Sequence, residues 1–194
     1  MVIGHHLILT GYGHWLPNDP RGSMSSELRA GKLLPFGPMH YGRKRQQPTR
    51  EELKSFCRQA EPQLDYPLLW FDDRMIRIIA ESFRRVIENE RYTCWACAIL
   101  SDHAHLAVRR HRDRQETMID TLKEESADPL RQLPNIANTH PIWSSRRWHK
   151  FLHTSEAVTA VIRYVEKNPI VDTGRVQQYD FVTPYRGEWS GRRW

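Results

Sequence analysis

The chain has 194 residues, a formal net charge of +6 and 27% charged residues. This length suits one compact domain with a full hydrophobic core, and the basic balance favours a polyanionic partner. The 3 cysteines have no regular spacing, which argues against a disulfide framework and for a reducing compartment. Neither a signal-peptide pattern nor an apolar run of ~18 residues is present, so we expect a cytoplasmic protein.

The positive charge is clustered along the chain rather than spread evenly. Four clusters stand out: Arg43–Arg45 with Arg50, Arg109–Arg114, Arg146–Lys150, and Arg192 with Arg193. Most charge runs are solvated faces. Two of these clusters flank the motifs described below, however, and for them we favour binding to phosphates.

The first third of the chain predicts one strand followed by irregular structure. His6–Thr10 is a short apolar run, and glycine, proline and Asn-Asp punctuation marks the loop that follows it. Residues from about 17 to 66 are polar and rich in proline. We interpret them as an irregular insertion, with a short helix at Arg50–Gln59.

The middle of the chain alternates helical and strand patterns. A helix is predicted from a cap at Asp72 or Asp73 to Asn89, because its apolar residues recur at helical spacing. Two apolar runs at 93–100 and 105–108 predict a hairpin. A second helix is predicted over Gln115–Glu125, ended by Asp128-Pro129, and Ile142–Leu152 is predicted to be extended.

The last predicted helix begins after Thr154, a good N-cap, and carries an apolar stripe from Val158 to Val165. Pro169 is expected to stop it. A basic, aromatic tail occupies about 174–194. The order of elements predicts a single α+β domain, in which helices cover one face of a largely antiparallel sheet.

Two histidines begin the second strand of the hairpin. Side chains alternate along a strand, so His103 and His105 share one face, where two imidazoles can bind one divalent metal ion. Taken alone, an HxH pattern is more often a pair of surface histidines. Its interpretation therefore depends on what else the fold brings to that face.

Tyr164 and Asn168 are four residues apart on the last helix, at the edge of its apolar stripe. Asn168 can add an amide oxygen to a metal held by the two histidines. Such a metal polarises a phosphate for attack by the Tyr164 hydroxyl. The product would be a phosphotyrosine that keeps the phosphodiester bond energy, so that the strand can be rejoined without ATP.

With these residues in place, the sequence resembles the HUH single-tyrosine transposases, especially their REP-associated branch. Three segments carry the resemblance: LTGYGHWLPNDPRGS at 9–23, ILSDHAHL at 99–106 and YVEKNP at 164–169. It spans most of the chain. The sequence departs from the family at Asp102, commonly Asn in relatives, and at Ala104, usually a bulkier residue.

The resemblance implies a ferredoxin-like fold with a central antiparallel sheet, in which Tyr164 attacks single-stranded DNA and leaves a 5′-phosphotyrosine. It implies that His103, His105 and Asn168 hold Mg²⁺ or Mn²⁺, and that the substrate is hairpin or single-stranded DNA, which would associate the protein with the nucleoid. Relatives are often dimers, which leaves a homodimer open. Our candidates for DNA contacts are Arg109, Arg110, Arg146, Arg147, Trp15 and Trp148.

Three other functions stay open at this point. The chain can be a domesticated DNA-binding protein without catalysis, although its complete set of Tyr, His, His and Asn argues against this. It can be a small zinc hydrolase in which the tyrosine is incidental. An RNA-binding domain is the weakest alternative, because no aromatic-rich glycine motif lies on a predicted strand.

Overall fold

The structure, a computed structural model, describes residues 1–16, 18–23, 40, 42 and 44–187. It divides the chain into two compact units, Tyr12–Leu69 and the remainder, Met1–Gly11 with Trp70–Trp194. Within the described residues, no helix combines the length and the apolarity needed to span a membrane.

The larger unit contains a four-stranded antiparallel sheet in the order β2-β3-β1-β4. Its strands and helices follow one another along the chain as β1, α2, β2, β3, α3, β4 and α4. The bounds of the strands are Gly4–Thr10 for β1, Cys94–Ile99 for β2, His103–Arg109 for β3 and Trp148–Leu152 for β4. The helices are Asp73–Asn89 for α2, Gln115–Arg131 for α3 and Ser155–Thr173 for α4. The predicted α+β class is therefore confirmed.

Helices cover both faces of this sheet, so the prediction of helices on one face was wrong. On one face α4 packs through Val158 and Val165 against Ala98, Ala107 and their neighbours. The alternation of side chains directs Leu7, Leu9 and Leu106 to the opposite face, where they are fully buried. The helices α2 and α3, which pack against each other, cover that face.

Two predicted helix ends were wrong because both helices continue through a proline. Pro129 lies inside α3 and Pro169 inside α4. Each proline removes one backbone donor, but Pro169 is itself buried and Leu130 is fully buried after Pro129. Packing of these positions outweighs the lost hydrogen bond. The helix α4 ends instead at Gly174, whose left-handed φ of 71° suits glycine.

The segment before β4 was predicted to be extended from Ile142, but the strand begins only at Trp148. Trp143 is buried, packs against Phe71 with ring centroids 4.9 Å apart, and donates from Nε1 to Ser126 Oγ at 3.0 Å. The ammonium of Lys123 donates to the carbonyls of Ser144 and Arg146. These inward contacts turn the segment away from an extended pairing.

The tail after α4 packs along the outer edge of β2. Gln177 accepts from the backbone N–H of Ile99 at 2.9 Å and donates to its carbonyl at 2.7 Å. The backbone N–H of Thr183 donates to the carbonyl of Cys94, and Tyr185 packs on Trp95. The described part of the tail thus covers an otherwise open strand edge.

The smaller unit contains the helix α1, Arg50–Ala60, which begins at a capping box formed by Thr49 and Glu52. A short 3-10 helix, Glu61–Gln63, follows it. The helix predicted at Arg50–Gln59 is confirmed, whereas residues 24–39 of the predicted insertion lie outside the described residues. The description of the chain as one domain with an insertion stays a prediction.

Candidate active site

The sheet face under α4 carries a row of histidines on two neighbouring strands. In the antiparallel register of β1 and β3, Ile8 is opposite His105 and His6 is opposite Ala107. Alternation places His6 on the same face as His103 and His105. These three imidazoles therefore lie together below the helix that carries Tyr164.

The predicted pair of histidines converges through the Nε2 atoms, which lie 3.0 Å apart. On the far side of the first ring, His103 Nδ1 lies 2.5 Å from the Asp102 carboxylate. His105 is 3% exposed, and His103 is partly exposed. One nitrogen of each ring thus faces a shared point at the edge of a buried cluster.

His6 completes the row and was not predicted as a site residue. Its Nε2 lies 3.1 Å from His105 Nδ1, the ring nitrogen that faces away from His103. The apolar run at the start of the chain contained two adjacent histidines, and the sequence did not show which of them faces the site. The pairing of β1 with β3 decides this in favour of His6.

Burial keeps the inner imidazoles neutral. Desolvation lowers the pKa of His105 to about 2, and the nearby His103 and His6 lower it further. Desolvation also lowers the pKa of His6 to about 4, with the charge of Lys150 as the next cause. Neutral imidazoles at physiological pH can act as metal ligands without first losing a proton.

Tyr164 lies on α4 directly over these rings. Its ring centroid is 5.3 Å from that of His105 and 5.9 Å from that of His6, both in edge-to-face orientation. The residue is nevertheless 51% exposed. The prediction of a tyrosine beside the apolar stripe thus corresponds to a side chain that touches the histidines and stays open to a ligand from outside.

Asn168 follows one turn later on the same uninterrupted helix. Its Nδ2 is buried and makes no hydrogen bond within the described part of the chain. Amide nitrogen and oxygen are assigned from their hydrogen bonds, so this position suits an amide oxygen that faces a ligand equally well. The buried atom without a partner fits the predicted role of Asn168 as a metal ligand, which stays a prediction.

The residues present fit a divalent metal through two imidazoles and an amide. Two ligand atoms at ~2.1 Å from one ion lie about 3 Å apart at a right angle, which matches the Nε2 separation. Among the described residues, no group of three or more His, Cys, Asp or Glu side chains is arranged to hold a metal ion. His6 in particular faces the other nitrogen of His105, so a third protein ligand must come from a residue such as Asn168.

The predicted DNA contacts have different surroundings. Trp148 on β4 lies beside the site, with its ring centroid 6.1 Å from that of His6. Arg147 is exposed and pairs with Asp120 at 2.6 Å. Arg109 and Arg146 are partly buried, whereas Arg110 is exposed.

Trp15 belongs to the smaller unit and has a structural partner there. The guanidinium of Arg21 lies 4.0 Å from the centroid of its ring, and Asp19 holds that guanidinium through a salt bridge of 2.8 Å. One ring face of Trp15 is therefore occupied by a cation. Its predicted role in base stacking stays untested.

Lys150 also lies at the site and was not singled out as a site residue. It is opposite His6 in the register of β1 and β4, and it is exposed. Alternation places its side chain on the histidine face of the sheet. An ammonium group at this position adds positive charge where a phosphate would approach Tyr164.

Comparison with known proteins gives a distant structural similarity and no sequence match. No family model matches the chain, and no curated protein matches it. A solved structure of a REP-associated tyrosine transposase bound to a REP hairpin is similar with a TM-score of 0.46 and 11% identity, over 89% of this chain and 70% of that chain. Because a similarity of this degree does not establish function, the geometry of the site has to carry the functional argument.

Proposed function

We propose that this protein is a metal-dependent endonuclease and strand-transfer enzyme of the HUH transposase type, which cuts and rejoins single-stranded DNA through a 5′-phosphotyrosine on Tyr164. The observation that carries the proposal is the contact between Tyr164 and His105, whose Nε2 converges with that of His103. A nucleophile and two metal ligands from distant parts of the sequence meet on one sheet face. This arrangement suits attack on a metal-bound phosphate.

His103 and His105 would hold Mg²⁺ or Mn²⁺ through their Nε2 atoms, and Asn168 would add its amide oxygen. When bound, such an ion polarises the scissile phosphate and stabilises the negative charge that builds up on its oxygens. Asp102 and His6 contact the outer nitrogens of the two imidazoles and so hold the rings in place. The ligand set is thus supported from both sides.

The Tyr164 hydroxyl oxygen would form the new bond to phosphorus while the bond from phosphorus to the 3′ oxygen breaks. The phenol proton is lost in this step, and the departing 3′ oxygen ends as a hydroxyl group. Reversal with another 3′ hydroxyl would release the tyrosine and join the strands. The helix α4 fixes the position of the nucleophile because Val165, its neighbour in sequence, is fully buried.

We also propose that the fold is ferredoxin-like. The succession β1, α2, β2, β3, α3, β4 with the sheet order β2-β3-β1-β4 supports this. In this arrangement β1 and β3 are central, so residues on them face a helix-covered surface rather than an open edge. The additional helix α4 then brings the nucleophile to the face that α2 and α3 leave uncovered.

The proposed substrate is hairpin or single-stranded DNA. Lys150 and Trp148 border the site on β4, one as a phosphate contact and the other as a surface for base stacking. Arg109, Arg110, Arg146 and Arg147 remain proposed backbone contacts, and a homodimer remains a proposal as well. The ion pair of Arg147 with Asp120 is exposed and therefore weak enough for a phosphate to replace the carboxylate.

The experiment that tests the proposal is incubation with labelled hairpin and single-stranded DNA in Mn²⁺, followed by denaturing electrophoresis. We expect a band of protein covalently linked to DNA, absent with EDTA and absent from the Tyr164→Phe variant. Tyr185→Phe is the matched control, since it also removes one tyrosine hydroxyl near α4, where Tyr185 donates to Ser155 at 3.0 Å. An adduct that persists on Tyr164→Phe would refute the assignment, and hairpin binding without any adduct would favour the domesticated DNA-binding protein.

A further inference from the structure

Four side chains form one continuous hydrogen-bonded row across β3 and β1. The contacts run from Asp102 to His103 at 2.5 Å, from His103 to His105 at 3.0 Å, and from His105 to His6 at 3.1 Å. His105 and His6 are 3% and 5% exposed. Water therefore has little access to the inner contact, and the protons in the row are shared among these side chains.

The carboxylate at one end fixes the position of every proton in the row. An ionised carboxylate only accepts, so His103 must carry its proton on Nδ1. A neutral His103 then has a lone pair on Nε2, and His105 must donate to it from its own Nε2. His105 Nδ1 is left as an acceptor, and His6 donates to it from Nε2.

This arrangement is unsuited to metal binding, because the proton on His105 Nε2 occupies the lone pair that a metal needs. We propose that His6 is a positioning residue that changes its own tautomer to free this nitrogen. The inference rests on the proposed function, since it assumes that a divalent cation is held between His103 and His105.

The exchange conserves protons. When both Nε2 atoms ligate a cation, the proton of His105 moves to Nδ1 and is donated to His6 Nε2. The proton of His6 moves from Nε2 to Nδ1 of the same ring. His103 keeps its proton toward Asp102 throughout, so only the inner pair of rings changes.

His6 serves this purpose because an imidazole can be donor or acceptor at the same nitrogen. A side chain that only donates would lock His105 in the form that cannot bind metal. A side chain that only accepts would support the metal-bound form alone. An apolar residue would leave His105 Nδ1 buried without a partner in either form, and loss of such an outer contact typically weakens metal binding 10–100-fold.

The first test is Mn²⁺ binding, measured by isothermal titration calorimetry on the full chain without DNA. We expect His6→Leu to weaken binding by ~10–100-fold. His6→Gln, whose amide oxygen can accept from His105 Nδ1, should restore most of the affinity. The matched control is His5→Leu, since His5 is the adjacent histidine on β1, is 4% exposed, and faces the opposite side of the sheet against Phe151.

The second test is the ¹⁵N chemical shift of the His6 ring in the wild-type chain, with and without saturating diamagnetic Mg²⁺. We expect the Nε2–H tautomer without the cation and the Nδ1–H tautomer with it. His6 retaining the same tautomer in both states would overturn the inference, as would unchanged Mn²⁺ affinity in a folded His6→Leu variant.

The two levels of the argument fail differently. If the wild-type chain binds Mn²⁺ and forms the DNA adduct while His6→Leu binds Mn²⁺ equally well, the role of His6 is refuted and the proposed function stands. If the wild-type chain binds neither Mn²⁺ nor Mg²⁺, the metal-dependent function is refuted together with the inference.

Discussion

His5 provides a quantitative test of the sheet geometry, because it is buried on the face opposite to His6. It lies edge-on to Phe151 with ring centroids 5.5 Å apart, and its Nδ1 has no hydrogen-bond partner in the described part of the chain. Desolvation lowers its pKa from 6.5 to about 4, with the charges of His149 and Arg110 as further causes. Folding therefore opposes protonation of this ring.

The pH window follows from these two values. The unfolded chain binds a proton at His5 near pH 6.5, whereas the folded chain does so only near pH 4. Stability contributed by the neutral ring is thus fully present above pH 6.5 and decreases as the pH falls toward 4. At pH 5, about 1.5 units below the unfolded pKa, this amounts to ~2 kcal/mol.

The perturbation is His5→Leu, which replaces the titrating ring by an apolar side chain of similar volume. We expect a change of about 1 kcal/mol or less in the free energy of unfolding at pH 8. At pH 5 the variant should gain ~2 kcal/mol relative to the wild-type chain, because it no longer takes up that proton on unfolding.

The assay is urea unfolding of both chains at pH 8, 7, 6 and 5, followed by circular dichroism. Gly174→Ala is a control that does not titrate, and strain at its φ of 71° should cost about 1 kcal/mol at every pH. If the difference between the wild-type chain and His5→Leu is the same at pH 8 and pH 5, the burial of His5 and the register that produces it are wrong.

Two further predictions concern packing and DNA binding. Gly4→Ala should destabilise the chain by ~1–3 kcal/mol in urea, since a Cβ there would lie 2.6 Å from the Trp95 ring and 2.7 Å from the Val108 carbonyl oxygen; unchanged stability would contradict this close approach. Lys150→Met should weaken binding of single-stranded DNA and lower the slope of log K against log salt by about 0.7, measured by fluorescence anisotropy. Arg84→Met, on α2 in ion pairs with Glu81 and Glu88, removes the same charge and should leave the slope unchanged.

The local patterns that the sequence predicted well have short-range causes. The helix α2 begins after Asp72, whose side chain accepts from the backbone N–H of Met75 at 2.8 Å, as the cap rule indicates. The shared face of His103 and His105 follows from the alternation of a strand. The position of Tyr164 beside the apolar stripe of α4 follows from helical spacing.

What the sequence could not provide depends on pairing between distant segments. The choice between His5 and His6 is made by the register of β1 with β3, to which no local rule applies. The outer contact of Asp102 depends on the turn between β2 and β3. The predicted ends at Pro129 and Pro169 failed because tertiary burial of the last turns outweighs the loss of one hydrogen bond.

The central claim is that Tyr164 becomes covalently attached to DNA, and the most direct measurement is mass spectrometry of the adduct. The wild-type chain would be incubated with single-stranded or hairpin DNA and Mn²⁺, then digested with nuclease and protease. We predict a peptide containing residues 164–167 with a nucleotide attached to Tyr164 through a 5′ phosphate. A nucleotide attached to any other residue, or the absence of a modified peptide under conditions in which the DNA is cut, would contradict the account.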